Sequence, residues 1–539
     1  MSSSLLQARY PAANPSAADG WRLERLTAPS RLFGANGLRT GPDGRVYIAQ
    51  VTGSQISALD LATGRLDTVS PKGGDIIAPD DVAFDPSGNL YATEVMDGRV
   101  SMRAPGGRTR VLRDDLPCAN GITVHSSRLF IGECREGGRL MELDLGGGAP
   151  RILAENLPSP NAMEVGPDGL LYFPLMTANE IWRIDPEGGE PQRVAGGLGV
   201  PDAVKFDAVG FIVSTQVASG QVLRIDPRNG SATVLAQLSP GLDNLTFVGE
   251  RLFVSNFTGE ITEILPGGDT ATVLPGGLNW PLDLAVGDDG NLYVADGTYF
   301  YLVLPDGSLE TVAMLFSPGY PGFLRGLAAT GPGEFVVTTS GGQVTRYAPA
   351  AAVPSKVLAD GFDQLYGVAV GSGGVVVAEL GTGRVLSVRS GSVRSGNVDV
   401  LASGLQDPVG VAIGPDGAPL VAESGAGRIV RLSGSSVETV IDGLQRPQGI
   451  VVAGGLLYIV DAGAKEVIAF DLDSTARRTI ASGLPVGPAP GVQPKPLKGM
   501  PPFSGPQGPF AGITAGRGGT LFVSADGDGS VLALRRVHR

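Results

Sequence analysis

A unit of about forty residues returns twelve times along this chain, and few folds accommodate such a period. Each unit opens on one leading residue, followed by an apolar-rich run, a Pro-Asp-Gly-type turn and a second β-rich run. The leading residues are Asn36, Asp80, Asn120, Asn161, Asp202 and Asp243, continuing as Leu282, Arg325, Tyr366, Val409, Gln448 and Ala511. Their spacing is 39 to 44 residues except before Ala511, where it is 63. Four short strands per unit at this period predict a β-propeller blade. Twelve blades exceed the roughly four to eight of a single ring. The expected fold class is therefore all-β, two tandem six-bladed β-propellers.

Composition agrees with many short strands joined by turns. The 539 residues include 81 Gly and 41 Pro, spread between hydrophobic runs without collagen-like or low-complexity order. A net charge of -13 disfavours nucleic acid and anionic membrane as partners. The N-terminus lacks the apolar core of a signal peptide, and no run reaches membrane-spanning length, so the expectation is a soluble, cytoplasmic protein. Two cysteines are too few for a disulfide framework.

The chain divides on paper into a loose tail over 1–20, a first ring over 21–266 and a second over 267–539. The second contains a Pro/Gly-rich insertion at 485–509, read as an irregular spacer or cover. The strand at 22–27 has no partners before it, and the last unit stops one strand short. The strand at 22–27 is expected to complete the sixth blade of ring one, beside 259–264. The strand at 270–274 is then expected to complete the last blade of ring two. The boundary falls at 266–269.

In a propeller the innermost strands line a central channel, so the leading residues form a ring at one mouth. The second strand of each blade runs antiparallel and ends at the same mouth. Ring one gathers three Asp and three Asn there, with Asp81, Asn244, Glu94 and Glu133 close behind. Three carboxylates converging without Lys or Arg among them raise one another's pKa unless a cation sits between them. Oxygen donors of mixed charge suit a hard divalent ion, Ca²⁺ best, with Mg²⁺, Mn²⁺ or Zn²⁺ as alternatives. Asn or Asp after Pro is also common turn chemistry. Ring two keeps the turns and the prolines yet carries no Asn or Asp at these slots, so turn geometry alone does not demand them. Ring two is read as structural or regulatory.

These residues resemble the calcium-dependent propeller hydrolases of the senescence marker protein/gluconolactonase family, whose relatives include diisopropyl fluorophosphatase and paraoxonase. Val200-Pro-Asp-Ala-Val-Lys-Phe-Asp207 resembles the family's Pro-Asp-Gly segment, and Ser159-Pro-Asn-Ala-Met-Glu-Val165 its Asn-Gly segment, with Ala162 in place of Gly. Asn120-Gly121 fits a further Asn-bearing blade, and Leu242-Asp-Asn-Leu245 resembles the paraoxonase Asp-Asn pair. The resemblance covers about 20–266 and implies a metal held by Asn36, Asn120, Asn161, Asp202, Asp243 and Asn244. Ring two is more like the NHL-type scaffold propellers. Two departures matter. The gluconolactonase type has a ligand Glu where this chain has Asn36. The phosphotriesterase and paraoxonase types use His near the metal, whereas the histidines here are His125, in a hairpin expected at the opposite mouth, and His538.

The general base is then expected among Asp202, Asp243, Asp80, Glu94 and Glu133. Three readings follow: a metal-dependent hydrolase of a lactone or small ester, a metal-assisted lyase or isomerase on the same site, and a non-catalytic NHL-type binding scaffold. The expected partner is a small-molecule substrate, with neither nucleic acid nor membrane. Cys118 and Cys134 are expected close together, as free thiols or as a disulfide. Free thiols are favoured in a cytoplasmic protein.

Overall fold

The computed structural model describes residues 9–10, 13–389, 398–501 and 503–537; His538 and most of the tail at 1–12 lie outside them. Its strands assemble into twelve sheets, eleven of four strands and one of five. In each ring the innermost strand of every blade packs on that of the next, and the sixth packs back on the first. Both halves are therefore closed six-bladed propellers. Among the described residues no helix is long and apolar enough to cross a membrane.

The Pro-Asp-Gly turns close the inner hairpins for a local reason. The Asp168 carboxylate accepts a hydrogen bond from the Leu170 amide at 3.2 Å, and Gly169 takes a φ of 80° that favours glycine. Apolar residues alternate along each strand so that neighbouring blades pack face to face. Ala83, Tyr91 and Val100 of the second blade meet Ile122, Leu129 and Ile131 of the third, and Ile131 is fully buried. A side chain of that size contributes about 2 kcal/mol by leaving water.

The chain separates into two compact units, one of residues 31–276 with 492–502, the other of residues 1–30, 277–491 and 503–539. This corrects the expected ring closure. The strand Thr270–Leu274 pairs with Ile261–Ile264, its own neighbour in sequence, so ring one ends at Gly276 and each of its blades is continuous. The strand Trp21–Arg25 pairs with Ser530–Arg536 and completes the last blade of ring two. Residues 13–20 are no loose tail either: Ser16–Ala17 adds a fifth strand beside Arg477–Ser482 in ring two. The physical reason is register. Leu23 and Arg25 of the N-terminal strand face Leu534 and Leu532 on the open edge, whereas the edge in ring one is already taken by an adjoining strand needing only a short turn.

Among its described residues the 485–509 segment forms no strand of its own between Ser482 and Ile513. Residues 492–501 belong to the ring-one unit and cover its mouth at the second and third blades. Lys498 Nζ lies 3.4 Å from Asp97 Oδ1, and the Cys118 thiol faces the Pro501 carbonyl at 3.9 Å. Gly73 is needed beneath this strap: a Cβ there would sit 2.6 Å from the Gln493 carbonyl oxygen.

Candidate metal centre

A β-bulge in the inner strand accompanies four of the six leading residues, Asp80, Asn120, Asp202 and Asp243. The register slips between Pro79 and Val82, Ala119 and Ile122, Pro201 and Val204, and Leu242 and Leu245. Bulges re-aim side chains in this way. Two residues upstream the backbone enters the left-handed region in all six blades: Gly34, Ala78, Cys118, Ser159, Val200 and Gly241, with φ between 48° and 98°. Four of these are not glycine, and Val200 is β-branched, so strain accumulates in the turns that feed the mouth. Buried hydroxyls then tie the blades together. Ser255 Oγ donates to the Asn36 carbonyl at 2.7 Å, Thr93 to that of Asn120 and Thr215 to that of Asp243.

The structure brings the six leading residues together. Asp80, Asn120, Asn161, Asp202 and Asp243 are at most 7 % exposed, and Asn36 is half-buried. Asn36 Nδ2 donates to Asp243 Oδ2 at 2.9 Å, and Asn161 Nδ2 to Asp202 Oδ2 at 3.1 Å. Burial drives the Asp202 and Asp243 carboxyls well above the usual carboxylate range. Asp80 pushes both further up, and Asp202 adds to the effect on Asp243. Burial and then Asp81 raise Asp80 to about 8. The amide oxygens of Asn120 and Asn161 are buried without any partner.

Three mutually repelling carboxyls beside two orphaned carbonyl oxygens make a donor set that fits a hard cation. Among the described residues no group of three or more His, Cys, Asp and Glu is arranged to hold a metal, so amide oxygens would have to complete the shell. Two expected ligands are already engaged. Asn244 Oδ1 accepts from the Leu245 amide at 2.8 Å, and Asn36 Oδ1 from the Val51 amide at 3.2 Å.

Two of the candidate bases are held by ion pairs. Glu94 accepts from Ile77 N, Arg99 and Ser101, and Glu133 is paired with Arg135 and Arg139. Acids at the corresponding place in ring two do the same: Glu379 pairs with Arg384 and Glu423 with Arg428. These groups pin the turns of the scaffold in both rings. His125 closes the inner hairpin opposite Arg128, at the far end of the strand from Asn120.

The expected proximity of Cys118 and Cys134 is found. Cys118 and Cys134 are free and buried, their backbones paired through Cys134 N and Cys118 O at 2.8 Å. Burial and the nearby Asp202 and Asp80 push the Cys134 thiol well up. Met176 Sδ lies 3.6 Å from Cys134 Sγ and 3.0 Å from Asn161 Nδ2. Both follow the last residue of a second strand. The same place in the other blades holds Val51, Val95, Val217 and Phe257, an apolar collar legible from the repeat had one more column been compared.

Three residues inward from the leading slot stand Arg39, Glu164 and Lys205. Arg39 Nη1 bonds Glu164 Oε2 at 2.8 Å, and Lys205 Nζ lies 3.1 Å from the same oxygen. This ion-paired plug sits in the channel beneath the ring of acids. Burial raises Asp81, and Arg39 and Lys205 partly offset the rise.

A family model described as the SMP-30/Gluconolactonase/LRE-like region matches residues 20–256. Residues 20–256, under half of the chain, are thus similar to that family's region. No curated protein matches the chain. Among solved structures it is similar to a streptogramin B lyase at 18 % identity over 51 % of this chain and 94 % of that one, TM-score 0.39. It is also similar to a virginiamycin B lyase from Staphylococcus aureus at 15 % over 54 % and 98 %, TM-score 0.38. A gluconolactonase from Xanthomonas campestris gives 17 % over 47 % and 97 %, TM-score 0.38. Similarity at this level carries no argument about chemistry.

Proposed function

We propose that the mouth of the gluconolactonase-like ring is the active site of a metal-dependent hydrolase acting on a lactone or small ester. The observation that carries this reading is the pair of orphaned amide oxygens, Asn120 Oδ1 and Asn161 Oδ1, set among three carboxyls whose ionisation burial opposes. Asp80, Asn120, Asn161, Asp202 and Asp243 would hold the cation, with Asn36 beside them; Ca²⁺ suits them best, and Mg²⁺, Mn²⁺ or Zn²⁺ are alternatives. When bound, the cation would polarise a substrate carbonyl and stabilise its developing oxyanion.

The protein's own groups do the remaining work. Asp202 or Asp243 takes the proton from water or from the attacking group. Asn161 and Asn36 fix the orientation of those two carboxylates through the 3.1 and 2.9 Å hydrogen bonds. The apolar collar at Val51, Val95, Cys134, Met176, Val217 and Phe257 excludes water and favours a substrate with an apolar portion over a heavily hydroxylated one. The Arg39–Glu164–Lys205 plug closes the channel from beneath, so substrate enters from the mouth.

The test is turnover of a lactone and ester panel by metal-loaded protein, with products weighed by mass spectrometry. Hydrolysis adds water. Asp202→Asn and Asn161→Ala should lower kcat/KM by about 10² or more while the far-ultraviolet circular dichroism stays unchanged. Full turnover by either variant overturns the assignment. A product of unaltered mass points to elimination or isomerisation on the same carboxylates, and no turnover at all to a binding scaffold.

A further inference from the structure

We propose that the second ring binds a small anion, of the chloride or carboxylate class, on Arg325 beneath residues 503–510. Arg325 is the leading residue of that ring's second blade, the slot that in ring one holds Asp80. It is 1 % exposed and the largest fully buried side chain among the described residues. Its Nη2 donates to the Gly508 carbonyl at 2.9 Å, and its guanidinium lies 3.8 Å over the Tyr366 ring. Nε and Nη1 are buried with no partner. Among the described residues no carboxylate comes within ion-pair distance of it.

The other deeply buried cations show what is missing. Arg39 and Lys205 share Glu164. Arg9 is held by the carbonyls of Leu278, Asn279, Asp526 and Gly527, and Asp528, Asp296 and Asp526 act on it electrostatically. A carbonyl and an aromatic face attract Arg325 but bring no net negative charge. A guanidinium removed from water without a counter-charge is among the costliest groups a protein can bury. Two unfilled donors on a group with no acceptor capacity call for an anion.

The surroundings limit its size. The Gly505 amide donates to Ser340 Oγ at 3.2 Å, and the Phe510 and Tyr366 rings meet edge to face with centroids 6.0 Å apart. Gly508 leaves no room for a side chain, since a Cβ there would lie 2.3 Å from the Tyr366 hydroxyl. The closure of 503–510 over Arg325 thus limits a ligand there to a few atoms and excludes a phosphorylated or polymeric one.

The experiment is thermal unfolding of full-length protein freed of halide. Chloride and, separately, acetate are titrated against sodium isethionate at constant ionic strength. A ligand that binds only the folded state raises the melting temperature with the logarithm of its concentration. The expected result is a saturable rise with one or both anions in the wild type, absent in Arg325→Met. A rise with chloride alone identifies a halide site, and a rise with acetate a carboxylate site. No rise with either, or an equal rise in the variant, overturns the proposal. Should Arg325→Met fail to fold, anomalous diffraction from wild-type crystals grown in bromide decides: a peak within hydrogen-bond distance of Arg325 Nε or Nη1 supports the site, and its absence overturns it.

Discussion

The leading residues are Asn or Asp in one ring and neither in the other, although the backbone that presents them is nearly the same. Ring two repeats the bulge, as between Leu324 and Leu327, and repeats the left-handed entry at Gln364 and Asp407. What differs is the side chain each bulge delivers. That difference was legible from the sequence because one half served as a control for the other. The fates of Glu94 and Glu133 were not, since a one-dimensional pattern does not reveal that Arg99, Arg135 and Arg139 fold back onto them. Val200 offers a test at this scale. It holds a φ of 64° that a β-branched residue adopts only under strain. Val200→Gly should stabilise the protein by about 1 kcal/mol, read as a higher denaturant midpoint. Destabilisation by a similar amount would show that the Val200 side chain packs more than its backbone strains.

Strands decide how each ring closes. Ring one needs nothing from elsewhere to finish a blade, while the last blade of ring two takes its outer strand from Trp21–Arg25. Removing residues 21–27 therefore exposes the edge of Ser530–Arg536 and its ladder of unpaired backbone groups. Differential scanning calorimetry should show the deletion lowering the ring-two transition, while calcium still raises the melting of ring one. Loss of the ring-one transition instead would contradict this pairing. The error in the sequence reading has a simple origin: both unpaired strands alternate apolar and polar residues, and period-2 alternation does not name a partner.

Across the whole molecule, buried acids set the response to pH. Asp80, raised to about 8, and Asp202 and Asp243 above the usual range have their counterparts in ring two, where burial lifts Asp283 and Asp296 to about 7. A carboxyl whose folded pKa exceeds its unfolded value stabilises the fold fully below the unfolded pKa, about 4, and loses that contribution as pH rises through the folded one. Metal-free protein should thus melt at progressively lower temperature between about pH 4 and pH 8. Below that window the sign reverses, because Arg128 and Arg151 hold Glu142 down at about 2. Saturating calcium should flatten the decline that belongs to ring one and release protons on binding. A metal-free melting curve that climbs from pH 5 to pH 8 would refute the assignment.

Sequence alone determined that the protein is built of twelve blades, that they form two rings, and that Asn and Asp at the leading slots are confined to the first. Period and turn chemistry are local properties, and a repeat displays them twelve times over. Tertiary structure alone decided which strand completes which ring, that residues 492–501 cover the ring-one mouth, and that Arg39, Glu164 and Lys205 meet in one channel. It also decided that Asn120 and Asn161 keep their amide oxygens free while Glu94 and Glu133 do not. Each of these depends on groups distant in sequence converging in space, where burial and charge select among pairings that the chain leaves open.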